Sequence, residues 1–248
     1  MRTRLLALTL ALCALTAGDL GAAETHPGRT MLRLPVSGAP AGHVNVALFV
    51  PPSTEEPANG FPLILFLHGS EQRGDNPALL DDLPILDFTE EDAGFPFVTV
   101  VPQCPSGTTW SPGVLKQVLD AVEAMVPVDR ERVYLTGFSM GGFGTWQTAA
   151  AFPGIFAAIA PLCGFSDIPD APVLAAIPVW AFHGAQDRNI PVTESERMIA
   201  TLRREGADAQ LTVYPDLAHD CWTMTYHDSR LYLWFLSHVL GAPSASGR

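Results

Sequence analysis

Short, nearly unbroken apolar runs recur along the chain at Leu63–Leu67, Val98–Val101, Val133–Leu135, Ala157–Leu162 and Val179–Phe182, and a last one, Leu211–Tyr214, stops at Pro215. Runs of that length without polar alternation are what strands covered on both faces of a parallel sheet look like. Earlier, Val44, Val46, Leu48 and Val50 alternate with other residues, which predicts a half-buried strand. The stretches between the runs carry helical patterns. Val114–Val126 has apolar spacing near the helical repeat, Gly141–Phe152 is rich in small residues, and Leu231–Leu240 closes the pattern. Thr193–Glu205 opens on Thr193 with Glu196 three residues on, which predicts a capping box. Strands alternating with helices predict an α/β protein with a mostly parallel, doubly wound sheet and helices on both faces. The turn-rich stretch from Pro51 to Gly60 separates the first strand from the rest. The segment Cys163–Pro178 is too short for a folded cap, so no cap domain is expected and the site should be open at the top.

Length and composition narrow the picture. The 248 residues suit one large α/β domain, and with 48% hydrophobic and 16% charged residues the chain can bury a sizeable core. Net charge is −12 with a single lysine, Lys116, which argues against a nucleic-acid partner because phosphate binding needs clustered Lys and Arg. Arg2 and Arg4, the apolar stretch Leu5–Leu15 and the small residues Gly21-Ala22-Ala23 predict a signal peptide over residues 1–23 and export to the periplasm or beyond. Leu12 before Cys13 is too bulky for lipoprotein processing. After a polar lead-in at Glu24–Arg29, residues 24–248 then form a single catalytic domain. No later segment has transmembrane length, so no stable membrane association is expected. Cys104, Cys163 and Cys221 stay in the mature chain, and sequence leaves open whether two of them pair or all three are small buried apolar residues.

Gly137-Phe138-Ser139-Met140-Gly141 is a G-x-S-x-G pattern between an apolar strand and a small-residue helix. In that context the serine stands on a strained turn, which bulky neighbours would obstruct, and Ser139 is the expected nucleophile. A serine hydroxyl needs a base in reach. His219, in the loop after the last strand, is the expected base, with His227 in reserve and His238 an ordinary helix residue. The acid is expected at Asp187, in the loop after Val179–Phe182, with Asp167 and Asp170 as runners-up. Asp216 and Asp220 read as loop-stabilising residues, and His68 and His183 as residues packing the loops beneath the site. An oxyanion hole is expected from the backbone N–H groups of Met140 and of Ser70, in the loop after Leu63–Leu67. Trp110 and Trp222 are candidates for substrate binding or simple packing anchors.

The motifs together resemble a family. Leu67-His68-Gly69-Ser70 with Arg73-Gly74, Pro102-Gln103-Cys104-Pro105 with Trp110, the Ser139 elbow, Phe182-His183-Gly184-Ala185 with Asp187, and Tyr214-Pro215 with His219-Asp220 and Trp222 are similar to exported bacterial esterases of the α/β-hydrolase superfamily. That is the predicted-peptidase or phospholipase/carboxylesterase-like group, with feruloyl esterases and polyhydroxybutyrate depolymerases as more distant relatives. The resemblance spans roughly Leu63–Leu240, and Cys221 departs from the small polar residue similar proteins often carry there. It implies the α/β-hydrolase fold and ester hydrolysis without metal or organic cofactor; the absent cap adds the expectation of a short-chain or aryl acyl part, and a monomer acting on a small-molecule ester is expected. A serine peptidase with the same triad and a non-catalytic binding module are the alternatives.

Overall fold

The computed structural model describes residues 27–52, 57–92, 94–165 and 171–242. The expected signal peptide, Cys13 and the runner-up acids Asp167 and Asp170 lie outside the described residues. Strands β1 (Gly28–Pro35), β2 (His43–Val50), β3 (Phe61–Leu67), β4 (Val98–Pro102), β5 (Val128–Phe138), β6 (Ala158–Leu162), β7 (Val179–Gly184) and β8 (Ala209–Tyr214) form one sheet in the order β1-β2-β4-β3-β5-β6-β7-β8. β1 and β2 are antiparallel to their neighbours and the rest of the sheet is parallel. Helices α1 (Pro84–Glu91), α2 (Pro112–Glu123), α3 (Met140–Ala151), α4 (Ala171–Leu174), α5 (Thr193–Arg204), α6 (Trp222–Tyr226) and α7 (Ser229–Leu236) fill the connections.

The sheet divides the core into two layers. Leu63, Leu65, Val100, Leu135 and Ile159 face a cluster with α2, α3 and α5, whereas Ile64, Phe66, Tyr134 and Ala160 face one with α1 and α7. Successive residues of β3 therefore alternate between two buried faces, which is why the run shows no polar alternation.

Three details differ from the sequence expectations. β2 is buried along nearly its whole length, because β1 pairs with it over eight residues and helices cover both faces; its alternation does not mark a wet side. β1 itself falls partly within the expected lead-in, and the side chains of Thr30, Leu32 and Leu34 alternate with exposed neighbours. At α5, Val192 is the N-cap residue and no side chain caps the helix: Glu196 N–H already donates to Val192 O, so Thr193 lies inside the first turn and the expected capping box does not form.

Candidate active site

Four strands of the parallel part end at one edge, and each releases a loop there that carries a predicted site residue. Ser70 follows β3, Ser139 follows β5, Asp187 follows β7 and His219 follows β8. The carboxyl edge of an open parallel sheet is where such folds gather their chemistry.

Ser139 has φ 54° and ψ −116°, a conformation that costs on the order of 1–3 kcal/mol for a non-glycine residue and persists only when its surroundings hold it. Its N–H donates to Leu162 O at 3.0 Å, and α3 begins directly after it. Gly141 makes the close fit possible: a Cβ there would collide with the carbonyls of Leu67 and His68 at the end of β3. Gly184 plays the same part under the histidine loop, since a side chain at that position would collide with the carbonyls of Leu217 and Ala218.

The three predicted side chains meet. His219 Nε2 lies 2.9 Å from Ser139 Oγ, and His219 Nδ1 lies 2.6 Å from Asp187 Oδ2. An ionised Asp187 only accepts, so Nδ1 carries the ring proton and Nε2 is left to accept from the serine hydroxyl. Burial by itself would raise the Asp187 carboxyl. The hydrogen bond from His219 and those from the N–H groups of Ile190 and Asn189 outweigh it, and hold the carboxyl below the ordinary carboxylate range.

His183 does more than pack. The fully buried ring places Nδ1 2.7 Å from Ser195 Oγ, and Nε2 2.9 Å from Ile190 O and 3.2 Å from Asp187 Oδ2. His68 is latched on both sides: Nδ1–H donates to Gly69 O at 2.6 Å and Nε2 accepts from Cys104 N–H at 3.0 Å. Burial, with the nearby Arg73 charge, pushes this imidazole down from its ordinary 6.5 to about 4, so it stays neutral.

Ser139, His219 and Ser70 line a cleft of about 740 Å³ together with Leu83 and Trp222. Ser70 N–H opens a short 3-10 turn and Met140 N–H opens α3, positions whose N–H groups have no acceptor within their own helices. Trp222 stacks on Phe138 with centroids 4.3 Å apart and stands edge-on to His219. Trp110 lies elsewhere. It is buried, donates to His68 O at 3.2 Å and packs against Gly144, so of its two readings the structure places it as a packing anchor. His227 Nδ1–H donates to Thr223 O on the surface, and His238 sits beside Trp234 in the C-terminal region; neither approaches Ser139. Asp220 accepts from Thr223 N–H and Thr223 Oγ1, which fixes the first turn of α6. Among the described residues the three cysteines, Cys104, Cys163 and Cys221, are buried and form no disulfide. Among the described residues no cluster of His, Cys, Asp and Glu is arranged to hold a metal ion, and no helix is long and apolar enough to cross a membrane.

Sequence reasoning missed one wall of the cleft. Asp82, Leu83 and Pro84 belong to the β3–β4 connection, whose helix α1 has Pro84 at its first position. A proline just before the apolar pair Ile85-Leu86 is a usable helix-start signal.

By its fold the chain is a member of the α/β-hydrolase superfamily, and no cap domain stands over the sheet edge among the described residues. Residues 109–227 match the model of the dienelactone hydrolase family. A candidate carboxymethylenebutenolidase of Yersinia pestis is 33% identical over 133 residues, covering 46% of this chain and 50% of that protein. The poly(3-hydroxyoctanoate) depolymerase of Pseudomonas fluorescens is 24% identical over 226 residues, 77% of this chain and 79% of its own. The crystal structure of a thermostable esterase superposes with a TM-score of 0.76 at 26% identity, over 85% of this chain and 63% of that one. The chain thus spans about half the length, or less, of the curated carboxymethylenebutenolidase relatives it matches.

Proposed function

We propose that the protein is a carboxylic ester hydrolase working through an acyl-enzyme, and the observation that carries the reading is the unbroken chain from Ser139 Oγ through His219, both lining the cleft, to the buried Asp187 behind them. Ser139 Oγ attacks the ester carbonyl carbon while its proton passes to His219 Nε2. Asp187 holds the ring in the accepting tautomer and stabilises the imidazolium that forms. The tetrahedral oxyanion lies against the N–H groups of Ser70 and Met140. Collapse breaks the bond to the alkoxide, which takes the proton from His219 and leaves as the alcohol. Water then attacks the acyl-enzyme by the same steps, releasing the acid and restoring the serine.

The acyl preference proposed is short-chain or aryl. With no cap over the edge among the described residues, a long chain gains from burial only as far as the wall at Leu83, and each methylene beyond it stays in water without the ~0.8 kcal/mol that burial would contribute. Trp222 offers an aromatic face to an aryl group. Export belongs to the proposal too, on the strength of Arg2, Arg4 and Leu5–Leu15.

The test is fluorophosphonate labelling followed by p-nitrophenyl esters from acetate to palmitate under detergent control. The reading expects one label on Ser139 and a kcat/KM that stops rising after a few carbons. No label and no hydrolysis would remove the esterase reading. A steady climb to the longest soluble chain would remove the open-cleft part.

A further inference from the structure

The loop after β3, beyond its single 3-10 turn at Ser70–Gln72, is held largely by side chains. His68 Nδ1–H grips Gly69 O at 2.6 Å, Arg73 Nε–H grips Ser70 O at 3.0 Å, and Arg73 Nη1–H reaches Thr108 O at 3.1 Å. Gln103 Nε2–H bridges Gln72 O and Asn76 O, and Gly74 N–H donates to Cys104 O. The geometry of these contacts has a consequence for one atom. In a trans peptide the C=O and N–H point in opposite directions. Holding Gly69 O against His68 therefore turns the Ser70 N–H the other way. Holding Ser70 O against Arg73 fixes the next peptide plane. With both planes fixed, Ser70 has no freedom left in φ or ψ.

We propose that Arg73 is a positioning residue for the oxyanion hole: its guanidinium, anchored on Thr108 O, completes with His68 a clamp on the two peptides flanking Ser70, and so aims the Ser70 N–H at the oxygen of the tetrahedral intermediate. This rests on the esterase reading above, in which Ser70 N–H is one of two oxyanion donors. Arg73 touches no reacting atom in this scheme and does not line the cleft. Its planar fork suits the task because two carbonyls in different loops must be gripped at fixed angles, which an ammonium on a flexible stem does not do.

The experiment compares wild type, Arg73→Met and Arg73→Lys on p-nitrophenyl acetate and in binding phenylboronic acid, which forms a tetrahedral adduct on the serine. Removing a whole oxyanion donor costs roughly 10²–10³ in kcat, so a donor left in place but unaimed should cost about tenfold to a hundredfold. Arg73→Met is expected to show that loss in kcat with KM within about twofold, a parallel loss of boronate affinity, and partial recovery of kcat on adding guanidinium. Arg73→Lys keeps charge and stem, is expected to fold, and should stay within about threefold of Arg73→Met. If Arg73→Met does not fold, the Lys variant carries the same test. Wild-type kcat and boronate affinity in Arg73→Lys would overturn the clamp, since charge alone would then suffice. So would a loss confined to KM, or to thermal stability. A wild-type protein that takes the fluorophosphonate label and hydrolyses the ester, beside a variant that matches it, sinks the clamp and leaves the esterase reading standing; a wild type that does neither sinks both.

Discussion

Two connections at the carboxyl edge of the sheet behave differently. The β6–β7 connection, Cys163–Pro178, is short and its described part adds only the four-residue helix α4. The β3–β4 connection, residues 68–97, is nearly twice as long in sequence and folds into two 3-10 turns and α1. It carries Ser70 at one end and puts Asp82, Leu83 and Pro84 into the wall of the cleft. Judged from the first connection alone, the site is bare. The second shows that an uncapped site still has a wall on one side. Shape at such an edge is set by every loop that leaves it, and the strand ends supply only the floor.

The comparison predicts that floor and wall respond to substitution on different scales. Ser139→Ala, at the floor, should keep the fold and lose the fluorophosphonate label and ~10⁴ or more of turnover, against which rates within about tenfold of wild type would remove Ser139 from its role. Asp187→Asn should cost ~10⁴ in kcat, because the imidazole loses the carboxylate that selects its tautomer. A mild effect there, with a crippling one at Asp167, would place the acid in the β6–β7 connection instead.

The buried His68 ring at the root of the β3–β4 connection should also show in the pH dependence of stability. Since the His68 imidazole sits at about 4 in the fold and 6.5 when free, the unfolded chain takes up a proton between those values that the folded chain refuses. The stabilisation is therefore whole above pH 6.5 and declines as pH falls toward 4, by at most about 3 kcal/mol. Denaturant unfolding of wild type and His68→Gln across that range should give a flatter pH dependence for the variant; parallel slopes would mean the ring is not held neutral. The smallest effect is expected at the exposed wall. Glu71→Gln with Asp82→Asn removes two negative charges from the rim of the cleft. Charges in water at such range interact weakly. KM for an ester bearing a carboxylate should fall only about two- to threefold, with kcat unchanged, and the difference should vanish in high salt. A change in kcat as large as that at the floor would erase the distinction between the two regions.

How much of this was legible beforehand varies by residue. Ser139 could be read because its elbow is local: strand, glycine, serine, glycine and helix are consecutive in the chain, and the backbone conformation that exposes the hydroxyl demands those residue types. His219 and Asp187 could be read because chain order puts the acid and then the base in loops after later strands, and those strands, β7 and β8, lie beyond β6 on one side of β5 and end at the same edge. Trp110 could not be placed. A tryptophan in a loop carries no mark of whether its ring faces solvent, and here the narrow backbone at Gly144 lets it turn inward beneath His68. β1 was missed because its inward side chains, Thr30, Leu32 and Leu34, are few and mostly half-buried and its start falls in the polar lead-in, so it is the pairing with β2 that makes it a strand.

The sequence by itself determined the class of fold and picked out Ser139, His219 and Asp187, the three side chains that meet at the sheet edge, since these follow from short-range pattern and from chain order. Tertiary structure alone decided the rest: that His183 reaches Asp187, that His68 and Arg73 grip the peptides on either side of Ser70, and that Leu83 closes one side of the cleft. Those relations join side chains to backbone groups or to a neighbouring loop by hydrogen bonds that hold only at distances near 3 Å, and such distances are set by packing of the whole sheet and its helices, which no local window of sequence contains.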